Sequence, residues 1–378
     1  MKKFMNRKTF GLTGPACIAL FAFLSFTIAC RKNDVKKQLK DFSQVNLVDN
    51  NGEYGAPNQD AKQMNAWGLS WSPTGTAWVN SQSGHVSALY NAEGVAPRAA
   101  VDIPSPTDTI GGSPTGTVFN GTTGFVLSNG TAARFLFVGT DGVLSGWNGG
   151  NRALLIKDNS ATSAYTGMAI GSSGGANYIY AADFRGGKID TWDSLFNPVS
   201  FSFMDPSLPS GYSPFNIQNI GNWLYVTYAK PGADGRDVKG VGNGVVSIFN
   251  MDGSFVSRFA TGDQLNSPWG VAKAPAGFFD QQDDDMRMDN STAKYGEHFV
   301  DSTTVLIGNF GDGKINAYGE HGNFLGQLKA HGNTIVIDGL WALSFAPTTA
   351  TSIDPQRLYF TAGPDEEKDG LFGYLIKK

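Results

Sequence analysis

The chain has 378 residues, of which 48 are glycine, 12% are aromatic and 16% are charged. Its net charge of -4 provides no basic face of the kind that binds nucleic acid, so we expect no nucleic-acid partner. So few charged residues and so many glycines exclude a protein built of long amphipathic helices and favour an all-β fold with many tight turns.

The first residues of the chain resemble an export signal. The segment MKKFMNRK is basic, and residues 16–29 are apolar but too short to span a bilayer. The sequence TIAC then ends at Cys30 and resembles the lipobox of bacterial lipoproteins, whose cysteine is cleaved free and acylated, although Thr27 stands where Leu is usual. We therefore predict a signal peptide over residues 1–29 and lipidation at Cys30, with an ordinary secretory signal as the alternative.

Residues 30–40 are charged and polar and predict a flexible tether between the lipid and a folded domain over residues 41–378. A charged start after the cysteine resembles lipoproteins of Bacteroidetes-type bacteria, which implies the cell envelope, on the periplasmic or cell-surface face of the outer membrane. The membrane is then the first expected partner, and we expect a monomer. The other cysteine, Cys17, lies in the predicted signal, so the sequence of the domain offers no disulfide.

A short motif recurs along the domain: glycine, any residue, an aliphatic residue, any two residues and a large apolar residue. One copy lies in IGNFGDGKINAY at residues 307–318, which alone could be a metal loop, a phosphate-binding loop or a hairpin. It lacks the GxxxxGK[ST] pattern of a phosphate loop and the length and glutamate of an EF-hand loop, so its recurrence favours a hairpin. The six copies begin at Gly84, Gly142, Gly187, Gly244, Gly313 and Gly370.

Each copy of the motif is preceded by two apolar segments and, in five units, followed by another. The first segment begins with a small or polar residue, as in NAWGLSW, and the second is a run such as YIYAADF whose apolar positions alternate. This alternation and the glycine in every unit exclude a helical repeat. Four antiparallel strands in each of six units predict a six-bladed β-propeller. The sixth unit lacks a fourth strand, so we predict that residues 42–49 supply it and close the ring.

The recurring segments carry a resemblance to known propellers. The segments NAWGLSWSPTGTAWVNSQSGHVSALYN, YIYAADFRGGKIDTWD, PFNIQNIGNWLYVTYAKPGADG and VLIGNFGDGKINAYGEHG resemble an uncharacterised family of exported bacterial six-bladed propeller proteins. More loosely, the chain is similar to NHL-repeat and gluconolactonase-type propellers. The latter resemblance implies a divalent metal held by acidic and amide side chains at the inner ends of the blades. The matching positions here are Asn65, Asn216, Asn266 and Asp338, but the glutamate of such enzymes is missing.

Polar residues at the turns between second and third strands are candidate ligand-binding residues. These turns share one face of a propeller with the loops that lead into the inner strands, and ligands usually bind there. Asn or Asp would either cap the turn or contribute to a ring of oxygen ligands. The turn residues are Asn80, Asp141, Asp183 and Asn309. Asn309 with Asp312 could contribute to a site for Ca²⁺ or another divalent metal, and His331 could face the channel.

Two insertions and a set of aromatic residues leave alternatives open. Residues 230–244 lengthen a loop on the expected binding face, where they either cover the channel or extend into solvent. Residues 280–298 belong to the opposite face, and their aspartates Asp283–Asp285 either bind Ca²⁺ or are simply solvated. Aromatic residues lead into five of the six inner strands and either stack on a ligand or pack in the core. They are Trp67, Tyr165, Phe215, Trp269 and Trp341.

These features together predict a lipid-anchored, extracytoplasmic propeller that acts as a binding or interaction module. Its ligand would be an envelope protein, a glycan or a small molecule bound on the loop-rich face. The alternative is a metal-dependent hydrolase or lyase of the gluconolactonase type. The four histidines form no HExxH pair and no GxSxG elbow occurs, so the sequence motifs themselves identify no catalytic residue.

Overall fold

The computed structural model describes Met1, residues 38–280 and residues 303–378, and this part of the chain is a six-bladed β-propeller, as predicted. The predicted signal peptide apart from Met1, Cys30, most of the tether and Asp283–Asp285 lie outside the described residues. Within the described ranges, no helix is long and apolar enough to cross a membrane.

The six sheets follow one another along the chain, and their innermost strands contact each other in a closed ring. Two strands precede the first complete blade: β1 (Phe42–Asp49) and β2 (Asn58–Gln59). Blade I consists of β3 (Ala66–Trp71), β4 (Ala77–Ser81), β5 (Val86–Tyr90) and β6 (Val101–Asp102). Blade II consists of β7 (Pro114–Phe119), β8 (Phe135–Gly139), β9 (Val143–Trp147) and β10 (Leu154–Asp158). Blade III consists of β11 (Tyr165–Ser173), β12 (Ala176–Asp183) and β13 (Lys188–Asp193).

The second half of the ring repeats this order. Blade IV consists of β14 (Ser213–Ile220), β15 (Trp223–Ala229), β16 (Val245–Phe249) and β17 (Phe255–Thr261). Blade V consists of β18 (Pro268–Lys273), β19 (Val305–Asn309), β20 (Ile315–Tyr318) and β21 (Phe324–Gln327), followed by the hairpin β22 (Lys329–Ala330) and β23 (Asn333–Thr334). Blade VI consists of β24 (Leu340–Phe345), β25 (Leu358–Ala362) and β26 (Leu371–Lys377), with the short α1 (Pro364–Glu367) between the last two.

The first strand closes the ring, as the missing fourth strand of the last repeat predicts. Strand β1 pairs antiparallel with β26, so that Phe42 lies opposite Lys377 and Asp49 lies opposite Leu371. The Lys377 amine also donates to the carbonyls of Gln38 and Lys40, at 2.7 and 2.8 Å. Both ends of the domain therefore share one sheet, and closure removes the free sheet edges that an open ring would expose.

Blade III differs from the others because it has three strands. Its outer position is occupied by a single bridge between Trp192 and Pro198 rather than by a fourth strand. The chain after this bridge packs on blades III and IV, where Phe203 contacts Tyr180 and Phe249 with ring centroids 5.8 and 5.4 Å apart. The carboxylate of Asp205 in the same segment accepts bonds from Ser247 and Arg258, both at 2.6 Å.

Every innermost strand has a register shift near its start. Such a bulge leaves backbone carbonyls without partners in their own ladder. Side chains from other blades bond to several of them. The Asn80 amide donates to the carbonyls of Thr115 and Gly116, at 3.1 and 3.2 Å, and the Thr115 hydroxyl donates to the Tyr165 carbonyl at 2.7 Å. The inner strands are thus joined by side chains as well as by packing.

In most copies of the recurring motif, glycine is required because the next blade leaves no room for a side chain at that position. If a Cβ were added at this glycine, its nearest atoms in five of the six copies would belong to the next blade. They lie either at the start of its inner strand or in the loop that leads into that strand. At Gly313 an added Cβ would lie 2.3 Å from the carbonyl oxygen of Ile337, and the backbone has a φ of +68°. A side chain would therefore push adjacent blades apart and would also strain the turn.

Candidate functional site

Aromatic rings converge on the axis of the propeller. Trp341 stacks on Trp67 with ring centroids 3.6 Å apart and on Phe310 with centroids 3.8 Å apart. Trp269 meets the edge of the same ring at 5.9 Å, and Phe215 lies at 5.8 Å. All five rings are buried. Four of the five predicted aromatic residues therefore lie at the channel axis, where they pack on one another as a core rather than leaving a face open for a ligand.

Tyr165 is the exception among the predicted aromatic residues. Its ring packs against Trp192 of the same blade, in a cluster that also contains Val138 and Leu144 of blade II, and its hydroxyl donates to Asp190 at 2.9 Å. Burial raises the pKa of this hydroxyl, and the nearby Asp190 carboxylate adds to the effect. Tyr165 therefore belongs to the packing between blades rather than to the channel.

A cavity of about 530 Å³ lies on the loop-rich face above the aromatic rings. It is formed by loops leading into inner strands and by loops joining second and third strands, as predicted for this face of a propeller. Its lining residues are Asn65, Trp67, Gln82, Ser83, Thr140, Ala164, Thr166, Phe184, Phe215, Gly235, Arg236, Asp237, Trp341, Glu366 and Glu367. The cavity thus has an aromatic floor and a polar rim.

Asn65 organises the rim of the cavity. Its amide oxygen accepts a bond from the Trp341 indole N–H at 2.8 Å, and its amide nitrogen donates to Glu367 at 3.0 Å and to Gln82 at 3.3 Å. The side chain is buried, and its backbone has a left-handed φ of 48°. Asparagine adopts this conformation more readily than most residues. In contrast, the buried indole N–H of Trp67 has no hydrogen-bond partner among the described residues.

The long loop of blade IV lies across the cavity, so its insertion covers the channel. We call residues 230–244 the strap. Arg236 of the strap forms an ion pair with Glu367 of blade VI. The backbone N–H of Gly240 donates to the Asn266 side chain at 2.6 Å, and the Lys239 amine lies 4.3 Å from the centroid of the Phe310 ring.

Carboxyl groups dominate the charge of the cavity. Asp237, Glu366 and Glu367 line it, whereas Arg236 is its single cationic lining residue in the described part of the chain. Burial raises the pKa of Asp237, although the Ser267 hydroxyl and the charge of Lys239 act in the opposite direction. One carboxyl of the cavity is therefore held closer to its protonated form than an exposed aspartate.

The turn that supplies the two glutamates is strained. Asp365, Glu366 and Glu367 all have left-handed φ values, of 51°, 57° and 69°. This conformation costs roughly 1 kcal/mol or more for each residue other than glycine. The Glu367 N–H bonds to the Gly363 carbonyl at 3.1 Å, and the Asp365 N–H donates to the Asp338 carboxylate at 3.1 Å. The surrounding contacts thus hold both glutamates at the cavity rim.

The predicted turn residues form hydrogen bonds with backbone groups of their own and neighbouring loops. Asp183 is buried, and its carboxylate accepts bonds from the N–H groups of Ala164 and Gly186, at 3.0 and 2.8 Å. The amide of Asn309 donates to the Gln264 carbonyl at 2.8 Å and to Asp312 at 3.0 Å. These residues, like Asn80, are not among those that line the cavity. Asp141 similarly accepts from the N–H of Ser113 at 3.0 Å.

Asp312 and His331 lie outside the cavity lining as well. The Asp312 carboxylate pairs with the Lys314 amine at 3.1 Å within its own hairpin. His331 is exposed in the turn between β22 and β23, with a φ of 48°. The sequence pattern predicted ligand-binding roles for both residues near the channel, because the direction in which a loop runs cannot be read from its sequence.

The residues that match a gluconolactonase-type metal site are not brought together. Asn65 lines the cavity, but its amide oxygen accepts the Trp341 N–H. Asn216 donates its amide to the Trp269 carbonyl at 2.8 Å, and exposed Asp338 supports the turn at Asp365. Within the described ranges, no group of three or more His, Cys, Asp or Glu side chains is placed to hold a metal. The residues present therefore do not fit the metal that the resemblance implies.

Several residues of the cavity lining and of the aromatic rings beneath it were not singled out from the sequence. Phe184 and Phe310 directly follow the turn residues Asp183 and Asn309, and this shared position was a usable signal. Arg236 and Glu367 gave no signal, because the two residues are 131 positions apart and both lie in loops.

Comparisons with known proteins place the chain beside viral relatives. No protein-family model matches it. It is 33% identical over 281 residues to the uncharacterized protein R648 of Acanthamoeba polyphaga mimivirus, covering 70% of this chain and 63% of that protein. It is 36% identical over 223 residues to the uncharacterized protein L690 of the same virus, covering 57% and 52%. The chain thus spans less than two thirds of these relatives, and their viral origin does not support membership of an exported bacterial family.

Among solved structures, the chain is similar to virginiamycin B lyase from Staphylococcus aureus, with 13% identity and a TM-score of 0.45, covering 89% of this chain and 99% of that chain. It is also similar to the WD40 β-propeller domain of Doa1, with 9% identity and a TM-score of 0.45, covering 82% and 93%.

Proposed function

We propose that this chain is an extracytoplasmic binding module that takes a small polar ligand into the central cavity beneath the strap. A lipid on Cys30 would hold it to the membrane of a bacterial envelope. The observation that carries the binding proposal is the cavity itself: an aromatic floor, a hydrogen-bonded polar rim and a covering loop, all contributed by different blades. Concave sites with few polar groups over an apolar base are typical of small-molecule binding.

The size of the cavity favours a small ligand over a protein segment lying in it. A volume of about 530 Å³ falls in the range of sites that enclose small molecules. Its aromatic rings are too deeply buried to offer a stacking platform, so recognition falls to the rim groups. Rim amides, hydroxyls and carboxyls would bond to polar atoms of the ligand, and the unpartnered Trp67 N–H would gain an acceptor.

Binding of this kind is tested with a variant whose cavity is filled. Ala164 lines the cavity, and Ala164→Trp should occupy much of it, whereas Ala99→Trp adds the same side chain at an exposed position elsewhere. A panel of small neutral, cationic and anionic polar compounds is screened by the melting temperature of the wild-type chain, since a ligand of the native state raises it. We expect at least one compound to stabilise the wild type and Ala99→Trp but not Ala164→Trp. The proposal fails if no compound does so, or if both variants respond equally.

The anchoring proposal has a separate test. In a bacterial host, the full chain should appear in the membrane fraction and incorporate labelled fatty acid, and Cys30→Ser should abolish both. A Cys17→Ser variant is the matched control, because that cysteine lies within the predicted signal. Membrane association that survives Cys30→Ser would contradict the lipid anchor without affecting the cavity proposal.

A further inference from the structure

The ion pair between Arg236 and Glu367 holds the guanidinium group of one of the chain's own residues in the cavity. Both residues line the cavity, and they come from loops of different blades. The Arg236 side chain is 59% exposed, whereas the Glu367 side chain is 17% exposed. Glu367 is therefore the fixed partner, held also by Asn65 at 3.0 Å, and Arg236 is the partner that can leave.

The remaining charges of the cavity also favour a cation. Glu366 and Asp237 join Glu367 in the lining, and no lysine or histidine appears among the described lining residues. If Arg236 left, the only ionisable side chains among the described lining residues would be carboxyl groups, and no positive charge would remain. A carboxylate of low exposure needs a positive or hydrogen-bonding partner, since an unpaired charge is costly in a partly desolvated site.

The aromatic base of the site adds to this preference. Trp67, Phe184, Phe215 and Trp341 line the same cavity, and their apolar rings keep water from the base of the site, which strengthens the attraction between a carboxylate and a cation. The strap thus places one cation, Arg236, in a site built from carboxylates and aromatic rings.

We propose that the cavity binds a small organic cation, whose guanidinium or ammonium group replaces Arg236 at Glu367. Arg236 then occupies the site in the absence of ligand and competes with it. The ligand's cation would take over the pairing with Glu367, and the exposed Arg236 side chain would move into water, so displacing Arg236 has a small cost. The inference rests on the proposed binding function and specifies the chemical class of its ligand.

Pairs of probes that differ only in charge test the proposal. Methylguanidinium and methylurea have nearly the same shape, as do butylammonium and butanol. Each is titrated into the full wild-type chain and followed by tryptophan fluorescence and calorimetry. We expect the cations to bind at least about tenfold more tightly than their neutral partners, and their affinity to fall with added salt. Propionate should bind more weakly than either.

Variants at the ion pair separate competition from simple attraction. Arg236→Ala should raise the affinity for methylguanidinium by roughly fivefold, because the internal competitor is gone. Glu367→Gln should lower it by at least about tenfold. Lys368→Ala is the matched control: it removes an adjacent exposed cation that pairs with Asp365 and is not part of the lining, so the affinity should not change. If Glu367→Gln fails to fold, Glu366→Gln changes an exposed lining carboxylate and should lower the affinity in the same direction.

The outcomes distinguish this inference from the proposed function. Neutral or anionic probes that bind as tightly as the cations, with binding lost in Ala164→Trp, would overturn the cation preference and leave the binding module intact. If Arg236→Ala weakened the binding of methylguanidinium, the proposal that Arg236 competes with the ligand for Glu367 would be wrong. If no compound of any class binds, both proposals fail.

Discussion

The indole rings of Trp67 and Trp341 lie nearly parallel, with centroids 3.6 Å apart and planes inclined by 13°. The two residues belong to the first and the last blade, so this contact joins the ends of the repeat at the axis of the ring. The Trp341 N–H donates to Asn65, which immediately precedes blade I and reaches the strained turn at Glu367. Packing at the axis and the geometry of the cavity rim are therefore coupled through one side chain.

Replacing Trp341 should destabilise the whole domain. Trp341→Ala removes the ring between Trp67 and Phe310 and leaves Asn65 without a donor, so we expect a loss of about 3–5 kcal/mol in the free energy of unfolding. Trp223→Ala is the control, because that ring is 44% exposed, and it should cost no more than about 1 kcal/mol. Urea titrations of both variants provide the comparison, and equal losses would show that the axial rings contribute nothing special.

A single methyl group should distinguish the motif glycine from an ordinary turn glycine. Gly313 and Gly130 both have left-handed φ values, of +68° and +80°, so alanine costs about 1 kcal/mol at each for backbone reasons. At Gly313 the new Cβ would also lie 2.3 Å from the Ile337 carbonyl oxygen, whereas at Gly130 no atom lies within 4 Å. We expect Gly313→Ala to lower the free energy of unfolding by about 3 kcal/mol. The assignment of Gly313 to contact with the next blade is wrong if the two variants melt at the same temperature.

The buried carboxylate of Asp205 should make stability depend on pH in the acid range. Burial would raise its pKa, but bonds from Arg258, Ser247 and Ser207 outweigh burial and lower the pKa to about 2. A pKa below the unfolded value of 3.8 means that the stabilisation is complete above about pH 4 and is lost as the pH falls towards 2. Its size is roughly 2 kcal/mol.

Asp205→Asn tests this linkage. The difference in the free energy of unfolding between wild type and variant should be largest near pH 6 and should narrow as the pH falls from 4 to 2. Asp108→Asn changes an exposed carboxylate and should follow the wild-type curve. A difference that stays constant over this range would contradict the lowered pKa.

Charge placed in the closing strand should open the ring. Val48 is fully buried and lies opposite Phe372 in the pairing of β1 with β26. Val48→Asp buries an unpaired carboxylate, and we expect a loss of about 4 kcal/mol or more, together with aggregation through the exposed edge. Gln44→Asp alters an exposed position of the same strand and should leave the elution volume of the chain in size-exclusion chromatography unchanged.

Divalent metals should leave the melting temperature of the domain unchanged. The described residues include no cluster of three or more His, Cys, Asp or Glu side chains with the geometry of a metal site. Scans with Ca²⁺, Mn²⁺, Zn²⁺ and a chelator test this expectation. A stabilising shift that disappears in both Asn65→Ala and Asp338→Ala would restore the metal-dependent alternative.

The fold could be predicted from the sequence because its pattern repeats. The site could be predicted only in part, because its residues come from segments that are far apart along the chain. The motif at Gly313 and the missing fourth strand of the last unit predicted the blades and the closure by β1, because both are local patterns repeated at intervals. The partners of Asn80 could not be predicted, since they are carbonyls that a bulge in another blade leaves free. The pairing of Arg236 with Glu367 joins two loops and follows no period.

The bulges of the inner strands also make the blades non-interchangeable. The carbonyl of Tyr165 is bonded by a threonine of the preceding blade, that of Trp269 by an asparagine, and that of Thr166 by an indole from across the channel. A duplicated or exchanged blade would bring the wrong donor to its neighbour even though its strands had the right length. The number and order of the blades are therefore encoded at the axis, by a few side chains that differ from one repeat to the next.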